Sequence, residues 1–319
     1  MGELKLKLAK AILLLLCSSA LLLGVKPALG WSNGGYSANP AQPDYGTHDW
    51  IAHHALDYLS ANEKQYIVDN LAVYLYGTEL PDNNQADDGI GDTTKHHVYF
   101  NVDGSMYDNA SAKRADEEYQ KALAFLKSGD SVNAAKAAGV MSHYIVDVAV
   151  FGHVMGSGTP WGAEVNHSNY ENYVNGRTSQ YDSTFNVYLS YDGALTSITA
   201  YNATVNVAYD TTFDADGDCT CNWMDSNYNT SNTAFANRMG ESLNLAVNTL
   251  TDVLHTLYQQ ANPSTTPTPT PTISLIPTAS PTTSSLPVTP EYPTSQILSI
   301  FMVIILASAV ICKKQAHKP

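Results

Sequence analysis

The chain has 319 residues and is acidic, with 16 Lys and Arg against 30 Asp and Glu and a formal net charge of −14. Proteins that track nucleic acid carry basic stripes on their surface, so this balance argues against that class, and no nucleic-acid partner is expected. Four cysteines in a chain of this length are too few for a disulfide-stapled scaffold.

The first 30 residues have the pattern of a secretory signal peptide. Lysines at positions 5, 7 and 10 precede an apolar run over 11–25, and the segment ends with the small residues Ala28 and Gly30. Such segments are removed during secretion. The sequence therefore predicts a signal peptide over 1–30 and a mature chain that begins at Trp31.

The composition changes sharply at residue 261. The segment 261–296 is rich in Pro, Thr and Ser and cannot bury enough apolar surface to fold, so a disordered stalk is expected there. An apolar segment over 297–312 and a basic tail over 313–319 follow. They predict either a transmembrane anchor with a cytoplasmic tail or a cleaved sorting segment. Both place the protein at the extracellular face of the cell, secreted and attached to its membrane or surface.

Residues 31–260 form one domain of ordinary size, which the hydrophobic pattern predicts to be mainly α-helical. Helices are predicted from Thr47, over 62–76, over 111–127 with Gly129 at the end, from Ser131 through Asp147, over 167–174, and over 232–258. The stretch 176–229 is rich in Tyr, Thr, Asn and Val and shows no clear helical period. A β-hairpin or irregular excursions are expected in that stretch. Glycosylation sequons occur at Asn109, Asn166, Asn202 and Asn229.

The stretch 143–171 concentrates residues that bind metals. His143 and Asp147 are four positions apart, His153 follows, and His167 and Glu171 are again four apart. Positions i and i+4 lie on one face of a helix, so each pair can aim two ligand atoms at one point. Imidazole nitrogen and carboxylate oxygen are ligands that zinc accepts. The alternative, ordinary core histidines and a surface carboxylate, explains one such residue better than it explains five.

With residues nearer the N-terminus, this pattern resembles the zinc-dependent phospholipase C family, whose fold is shared with fungal single-strand-specific zinc nucleases. The family uses a mature N-terminal Trp, an early His, a loop Asp, another His, and then His-x-x-x-Asp, His and His-x-x-x-Glu. The matching positions occur here in that order: Trp31, His48, Asp82, His97, His143, Asp147, His153, His167 and Glu171. His96 is the alternative to His97, which is preferred because Tyr99 follows it as in the family pattern.

The resemblance implies three zinc ions, a phospholipid substrate, and hydrolysis of its phosphodiester by metal-activated water. The implied ligands are Asp82, His97, His143 and Asp147 for one ion, His153, His167 and Glu171 for a second, and Trp31, His48 and the shared Asp147 for the third. Asp82 is also the candidate catalytic residue, as a general base. The expected enzyme is a phosphoric diester hydrolase of phospholipase C type.

Two other functions are compatible with the pattern. A single-strand-specific zinc nuclease would use the same chemistry, but those nucleases usually carry Asp where this chain has Glu171. A metal-braced structural or adhesive module at the cell surface would suit the stalk, yet nine ligand positions exceed what bracing requires. The family's acidic residue soon after the Trp is missing, and Asn83 stands where choline-specific lipases often have an aromatic residue, so choline selectivity is not supported.

Overall fold

Packed helices make up most of the residues that the computed structural model describes, which are 31–263 apart from 38, 181 and 216. The predicted signal peptide, stalk, apolar segment and basic tail lie outside these residues. Within the described residues, helices far outnumber strands, so the predicted mainly helical class is confirmed. No helix in this part of the chain has both the length and the apolar character needed to cross a bilayer.

The described part of the chain contains nine α-helices and one small sheet. The helices are α1 (Thr47–His54), α2 (Ala61–Val68), α3 (Leu71–Glu79), α4 (Ala110–Ser128), α5 (Ser131–Asp147), α6 (His167–Asn175), α7 (Ala200–Phe213), α8 (Cys221–Ser226) and α9 (Thr233–Ala261). Short 3-10 helices span Thr93–Lys95, Phe151–His153 and Thr184–Tyr188. Strands β1 (Tyr99–Phe100) and β2 (Met106–Asp108) pair as an antiparallel hairpin.

Helix α5 is the centre of the fold. It contacts α1, α2, α3, α4, α7 and α9, and every residue from Ala137 to Asp147 is buried. Its closest neighbour is α3, because a glycine on each helix lies against the backbone of the other. A Cβ at Gly139 would lie 2.0 Å from the Tyr74 carbonyl oxygen, and one at Gly77 would lie 2.4 Å from that of Lys136. Only glycine allows this approach, which brings the end of α3 beside the end of α5.

The predicted single helix over 62–76 is in fact two helices, α2 and α3. The break falls at Asn70, whose side chain donates a hydrogen bond to the carbonyl of Tyr66 and whose own backbone is not helical. Asn side chains compete with the helical hydrogen-bond ladder in this way. Gly77 does not end α3, which continues to Glu79, because this glycine serves the contact with α5.

The stretch 176–229 contains α7 and α8 and, in its described residues, no strand, so the expected hairpin was wrong. The face of α7 that is buried consists of small residues at helical spacing: Ala200, Ala203, Thr204, Val207, Ala208, Thr211 and Thr212. Thr204, Thr211 and Thr212 each donate a hydrogen bond to the carbonyl four residues earlier. The hydroxyls are therefore satisfied inside the helix, and threonine can occupy positions that a search for apolar residues overlooks.

The segment before α1 lies across the ends of α3 and α5. Glu79, the last residue of α3, accepts hydrogen bonds from the backbone N–H of Ser37 at 2.6 Å and of Asp44 at 3.0 Å. Trp31 is fully buried, and its indole N–H donates to the carbonyl of Val146 at 3.0 Å. These contacts fix the backbone of Trp31 next to the last turn of α5.

Candidate metal centre

The carboxylate of Asp147, at the end of α5, is fully buried and surrounded by nitrogen atoms. Its Oδ1 accepts a hydrogen bond from the backbone N–H of Trp31 at 3.1 Å and lies 3.1 Å from Nε2 of His48. Its Oδ2 lies 3.0 Å from Nδ1 of His96 and 3.2 Å from Nε2 of His143. We call Asp147 and these neighbours, together with Asp82, the Asp147 cluster.

The imidazole of His143 is oriented by the contact between α3 and α5. Its Nδ1 lies 2.7 Å from the carbonyl oxygen of Thr78, so this nitrogen carries the proton and donates it. The lone pair of Nε2 is then left facing Asp147. The ring also stacks on that of His48, with 4.0 Å between centroids and 11° between planes. Orientation of a histidine by a backbone carbonyl is typical of metal ligands.

Asp82 lies in the loop after α3, as the sequence suggested, and its two oxygens face different partners. Oδ1 lies 3.3 Å from Nδ1 of His96 and 3.9 Å from Nε2 of His143, so it belongs to the cluster. Oδ2 accepts a hydrogen bond from the side-chain amide of Asn33 at 3.1 Å. Burial raises the pKa of Asp82, and the nearby charge of Asp147 raises it further. The carboxylate is therefore fixed and holds a proton more readily than an exposed aspartate.

His96, and not His97, contributes to the cluster. His96 is buried, and its second nitrogen faces Asp92, with 3.5 Å between Nε2 and Oδ1. His97 is partly exposed, stacks on Tyr99 with 4.3 Å between ring centroids, and pairs with Asp108 on β2. The sequence analysis preferred His97 as the ligand, whereas the structure places His96 among the candidate ligands and His97 outside them.

The reason is the alternation of buried and partly exposed side chains over residues 96–100. His96, Val98 and Phe100 are buried, whereas His97 and Tyr99 point to the other side, where their rings stack. The apolar residues Val98 and Phe100 follow His96 at intervals of two, and this alternation is visible in the sequence. It is the signal that could have selected His96.

The second ligand group comprises His153, His167 and Glu171. His167 and Glu171 occupy positions i and i+4 of α6, and Nε2 lies 2.7 Å from Oε1. Nε2 of His153 lies 3.8 Å from the same oxygen. Gly152 is packed against the imidazole of His167, because a Cβ at this position would lie 2.4 Å from the ring. The predicted spacing of the three residues thus brings them together, and a glycine makes the room they need.

The loop that enters α6 is held by Asp225 of α8, a residue that was not predicted to belong to this site. Its carboxylate accepts hydrogen bonds from the backbone N–H of Val165 at 3.0 Å and of Asn166 at 2.7 Å. The side-chain amide of Asn166 donates in turn to the carbonyl of Asp225 at 2.9 Å. Asp225 therefore fixes the start of the helix that carries His167 and Glu171.

Several buried ligand atoms approach one another without forming hydrogen bonds. Among the described residues, no hydrogen-bond partner is found for His48 Nε2, Asp82 Oδ1, Asp147 Oδ2, His167 Nε2 and Glu171 Oε1. Some of these atoms lie at hydrogen-bond distances from their neighbours, but the angles do not suit a hydrogen bond. Each unsatisfied buried polar atom costs about 1–3 kcal/mol. Atoms that converge without bonding to each other point at a common centre, which is the arrangement a cation requires.

Among residues 31–263 as described, three sets bring their ligand atoms within 4.8 Å of one another: His48, His143 and Asp147; Asp82, His96 and His143; and His153, His167 and Glu171. All the atoms are imidazole nitrogens or carboxylate oxygens, which are the donors zinc prefers alongside thiolate. The residues present therefore fit zinc. The assignment of individual ligands to individual ions stays a prediction.

Burial keeps two of the imidazoles neutral. It lowers the pKa of His48 and His143, and the proximity of the two rings lowers that of His143 further. Burial acts against the charge of Asp147 as well, but the neighbouring imidazoles, His153 first, hold the pKa of this carboxyl well below its ordinary value. An ionised carboxylate beside neutral imidazoles is the protonation state that binds a metal.

Neighbouring carboxylates raise the pKa of two further imidazoles, those of His96 and His167. Burial lowers the pKa of His96, but the carboxylates of Asp147 and Asp92 beside it outweigh burial and raise the pKa to about 10. His167 shows the same balance, with the charge of Glu171 as the main opposing cause, and its pKa is also about 10. Without a metal, these protons offset the negative charge of the site.

Comparison with known proteins identifies the family to which the chain belongs. The model of a family described as zinc-dependent phospholipase C matches residues 47–250, which is more than half of the chain. The chain belongs to this zinc-dependent phospholipase C family. The resemblance noted in the sequence is thereby confirmed, and membership supports a zinc-dependent phosphoric diester hydrolase.

Two solved structures are similar to the chain at low identity. The alpha toxin from Clostridium absonum is 15% identical with a TM-score of 0.49, and the match covers 73% of this chain and 66% of that chain. The alpha-toxin of Clostridium perfringens from avian strain SWCP is 14% identical with a TM-score of 0.41, covering 72% and 65%. The chain thus spans slightly less than two-thirds of the length of these proteins. No curated protein matches it.

Proposed function

We propose that the protein is a phospholipase C-type phosphodiesterase that uses three zinc ions to hydrolyse phospholipids. The observation that carries this proposal is the buried carboxylate of Asp147, which is surrounded by nitrogens of Trp31, His48, His96 and His143. A single carboxylate with partners at both oxygens is suited to bridge two cations. The group of His153, His167 and Glu171 would hold a further ion.

The distances support the following ligand sets, in which His96 takes the place of the predicted His97. Asp82, His96, His143 and Asp147 would hold one ion, His153, His167 and Glu171 a second, and Trp31, His48 and Asp147 the third. Zinc bound in these sets supplies a water that is deprotonated near neutral pH and positive charge beside the phosphate. The residues of the chain would place the two ester groups of the phosphodiester substrate and would supply a group that accepts a proton.

Asp82 is the proposed general base. Its Oδ1 faces the cluster, while the hydrogen bond from Asn33 occupies Oδ2 and prevents the carboxylate from rotating away. A lone pair of this carboxylate that neither Asn33 nor the ion uses would accept a proton from the attacking water. Asn33 therefore acts through Asp82 and is a positioning residue.

In the described part of the chain, two cavities that share no lining residue border the metal centre. One, of about 390 Å³, is lined in part by Trp31, Asp82 and Glu171. The other, of about 730 Å³, is lined in part by His96 and His153. A phosphodiester has two ester arms, and a phosphate held at the metals can place one arm in each cavity. This arrangement suits a diester better than a monoester.

The backbone nitrogen of Trp31 lies 3.1 Å from Asp147 Oδ1, where a free amine could act as a ligand. We therefore propose that secretion removes residues 1–30 and that the new amine contributes to the third zinc site. N-terminal sequencing of the native protein should begin at Trp31. A recombinant form that retains a methionine before Trp31 should lose one zinc ion and keep the other two. A fully active native protein that begins at any other residue would contradict the proposal.

Anchoring through residues 297–312 is also proposed, on the sequence pattern alone. Mass spectrometry of the cell-associated protein tests it, since an intact peptide through Lys314 supports a membrane anchor. Its absence supports cleavage at a sorting signal. Glycosylation is proposed at the exposed Asn202 and Asn229 but not at Asn166, whose side chain is bonded to Asp225. Deglycosylation should lower the mass of the secreted protein.

A panel of substrates tests the proposed function. The zinc-loaded protein is offered phosphatidylcholine and phosphatidylethanolamine vesicles, single-stranded nucleic acid and an aryl phosphodiester. We expect release of the phosphorylated head group from lipid, with slower cleavage of the aryl ester and little action on nucleic acid. Faster cleavage of nucleic acid than of lipid would favour the nuclease alternative, and no turnover of any substrate would reject the enzyme.

A further inference from the structure

The β1–β2 hairpin carries an unusual concentration of exposed apolar side chains. Val102 in its turn is 70% exposed, and on β2 Met106 is 41% and Tyr107 60% exposed. Large apolar residues exposed elsewhere in the described chain are mostly single and scattered along the sequence. The hairpin turn also lies beside another exposed aromatic residue, because a Cβ on Gly104 would be 3.5 Å from the ring of Tyr209. Clustered exposed apolar groups of this kind mark interaction sites.

This hairpin forms part of the entrance to the metal centre. Tyr107 and Asp108 line the cavity of about 730 Å³ that has His96 and His153 in its wall. Glu164 lines the same cavity and precedes Val165, which is 80% exposed. Apolar side chains thus flank the cavity that leads to the candidate ligands. A surface that contacts the hairpin therefore also lies beside the mouth of this cavity.

We infer that the β1–β2 hairpin docks on the surface of a zwitterionic lipid bilayer and presents the cavity to the lipids there. The inference rests on the proposed function, since a phospholipid is held in its bilayer by its acyl chains. An enzyme that hydrolyses it must bring the mouth of the site to the bilayer surface. Valine and methionine at a hairpin tip bury apolar area in the interface, and tyrosine suits the boundary between lipid and water.

The charge of the hairpin selects the kind of bilayer. Between Tyr99 and Asp108 the chain has no Lys or Arg and two carboxylates, Asp103 and Asp108. Binding to anionic lipids relies on basic side chains near the surface, and this segment offers none. The docking is therefore driven by apolar contact, and it should weaken when anionic lipid is added to the bilayer.

The experiment compares one head group in two physical forms. The zinc-loaded full chain is assayed on long-chain phosphatidylcholine in vesicles and on short-chain phosphatidylcholine below its critical micelle concentration. The variant Val102→Ser with Met106→Ser removes apolar surface from the hairpin without touching a residue that lines the cavity. The control variant Val132→Ser with Val187→Ser removes two valines exposed at 49% and 80% elsewhere on the protein. Residues outside the substituted positions, including 297–312, are the same in all forms, so their effect on vesicle binding is common to every form compared.

We expect the hairpin variant to lose activity on vesicles by on the order of tenfold or more, since two apolar side chains no longer enter the interface. Its activity on the monomeric lipid should stay within about twofold of the unchanged protein, and the control variant should match the unchanged protein on both. Equal activity of the hairpin variant on vesicles would overturn the inference. An equal loss in both variants would also overturn it, because adsorption would then not depend on the hairpin.

A binding measurement keeps the inference separate from the proposed function. Flotation of the same proteins with phosphatidylcholine vesicles on ice should recover a larger fraction of the unchanged and control proteins than of the hairpin variant, since residues 297–312 are the same in every form. If no form hydrolyses lipid but flotation shows this difference, the proposed function fails and the docking surface stands. If the unchanged protein is instead a dimer in solution that the hairpin substitutions dissociate, the hairpin is a protein interface and the inference is wrong. Should the double variant melt early, Val102→Ser alone serves in its place.

Discussion

The two ligand groups of the metal centre are built in different ways. The Asp147 cluster lies at the end of α5, the central helix of the fold. The close glycine contact between α3 and α5 brings the carbonyl of Thr78 to His143. The second group depends on a 3-10 helix and on α6, whose entry is fixed by hydrogen bonds to Asp225. One group is thus part of the packing around α5, whereas the other is carried by short helices and by the segment that enters α6.

This difference predicts how the two groups respond to change. Core packing and the ligand positions of the Asp147 cluster cannot be separated, so its loss should reduce both metal content and stability. The second group can lose its geometry while the helices around α5 keep their contacts. Substitutions in the two groups should therefore give different ratios of lost zinc to lost stability.

Asp147→Asn should have the largest effect. Removing the charge leaves buried imidazoles without their counterion, and the free energy of unfolding should fall by about 3–5 kcal/mol. Two of the proposed three zinc ions share this carboxylate, so both should be lost, with activity reduced roughly a thousandfold or more. Metal analysis and urea denaturation measure the two effects. Full zinc content in this variant would show that Asp147 is not a bridging ligand.

His96→Ala should rank second, and His97→Ala is its matched control. The first removes a nitrogen that lies 3.0 Å from Asp147, so we expect loss of about one ion and of activity by roughly a hundredfold or more. The second removes a ring that stacks on Tyr99 outside the cluster, and its zinc content should not change. The reverse pattern of zinc loss would restore His97 as the ligand.

Gly152→Ala should disturb the second group and leave the first intact. The added methyl group would lie 2.4 Å from the His167 ring, which must move away from Glu171. We expect loss of about one zinc ion and roughly ten- to hundredfold lower activity, with a much smaller fall in melting temperature than in Asp147→Asn. Gly158→Ala is the control, because a Cβ there meets no described atom within 4 Å. A large loss of stability in Gly152→Ala would remove the distinction between the groups.

The smallest effect concerns protons. In the metal-free protein the pKa values of His96 and His167 are about 10, raised from 6.5, so both imidazoles are charged at neutral pH. Their contribution to stability is present below pH 6.5 and is lost as the pH rises through 10. Zinc must displace both protons, so its affinity should increase as the pH rises toward 10. Calorimetry of zinc binding in buffers of different ionisation enthalpy should detect the release of about two protons. In His96→Ala, zinc binding should release about one.

Local patterns in the sequence predict the parts of the site that lie within one helix or one extended strand. The pairs His143 with Asp147 and His167 with Glu171 follow from the spacing of i and i+4. The family resemblance added Trp31, and the structure places its backbone nitrogen beside Asp147. The long final helix was also predictable, with Asn232 as its cap.

Contacts between distant parts of the chain were not predictable in this way. Asn33 reaches Asp82 across 49 positions, and His143 reaches the Thr78 carbonyl across 65. The support from Asp225 spans 60 positions to Val165. Such partners carry no local signal, because an asparagine or aspartate in a loop has many possible roles until the fold brings it to one atom.

Anomalous diffraction at the zinc absorption edge, from crystals of the zinc-loaded protein, is the most direct test of the metal centre. We expect three peaks: two on either side of the Asp147 carboxylate, roughly 3.5–4 Å apart as in other bridged sites, and a third among His153, His167 and Glu171. The nitrogens nearest to the first two should belong to His48, His96, His143 and the amine of Trp31. The absence of any peak beside Asp147 would contradict the account, whatever metal the second group holds.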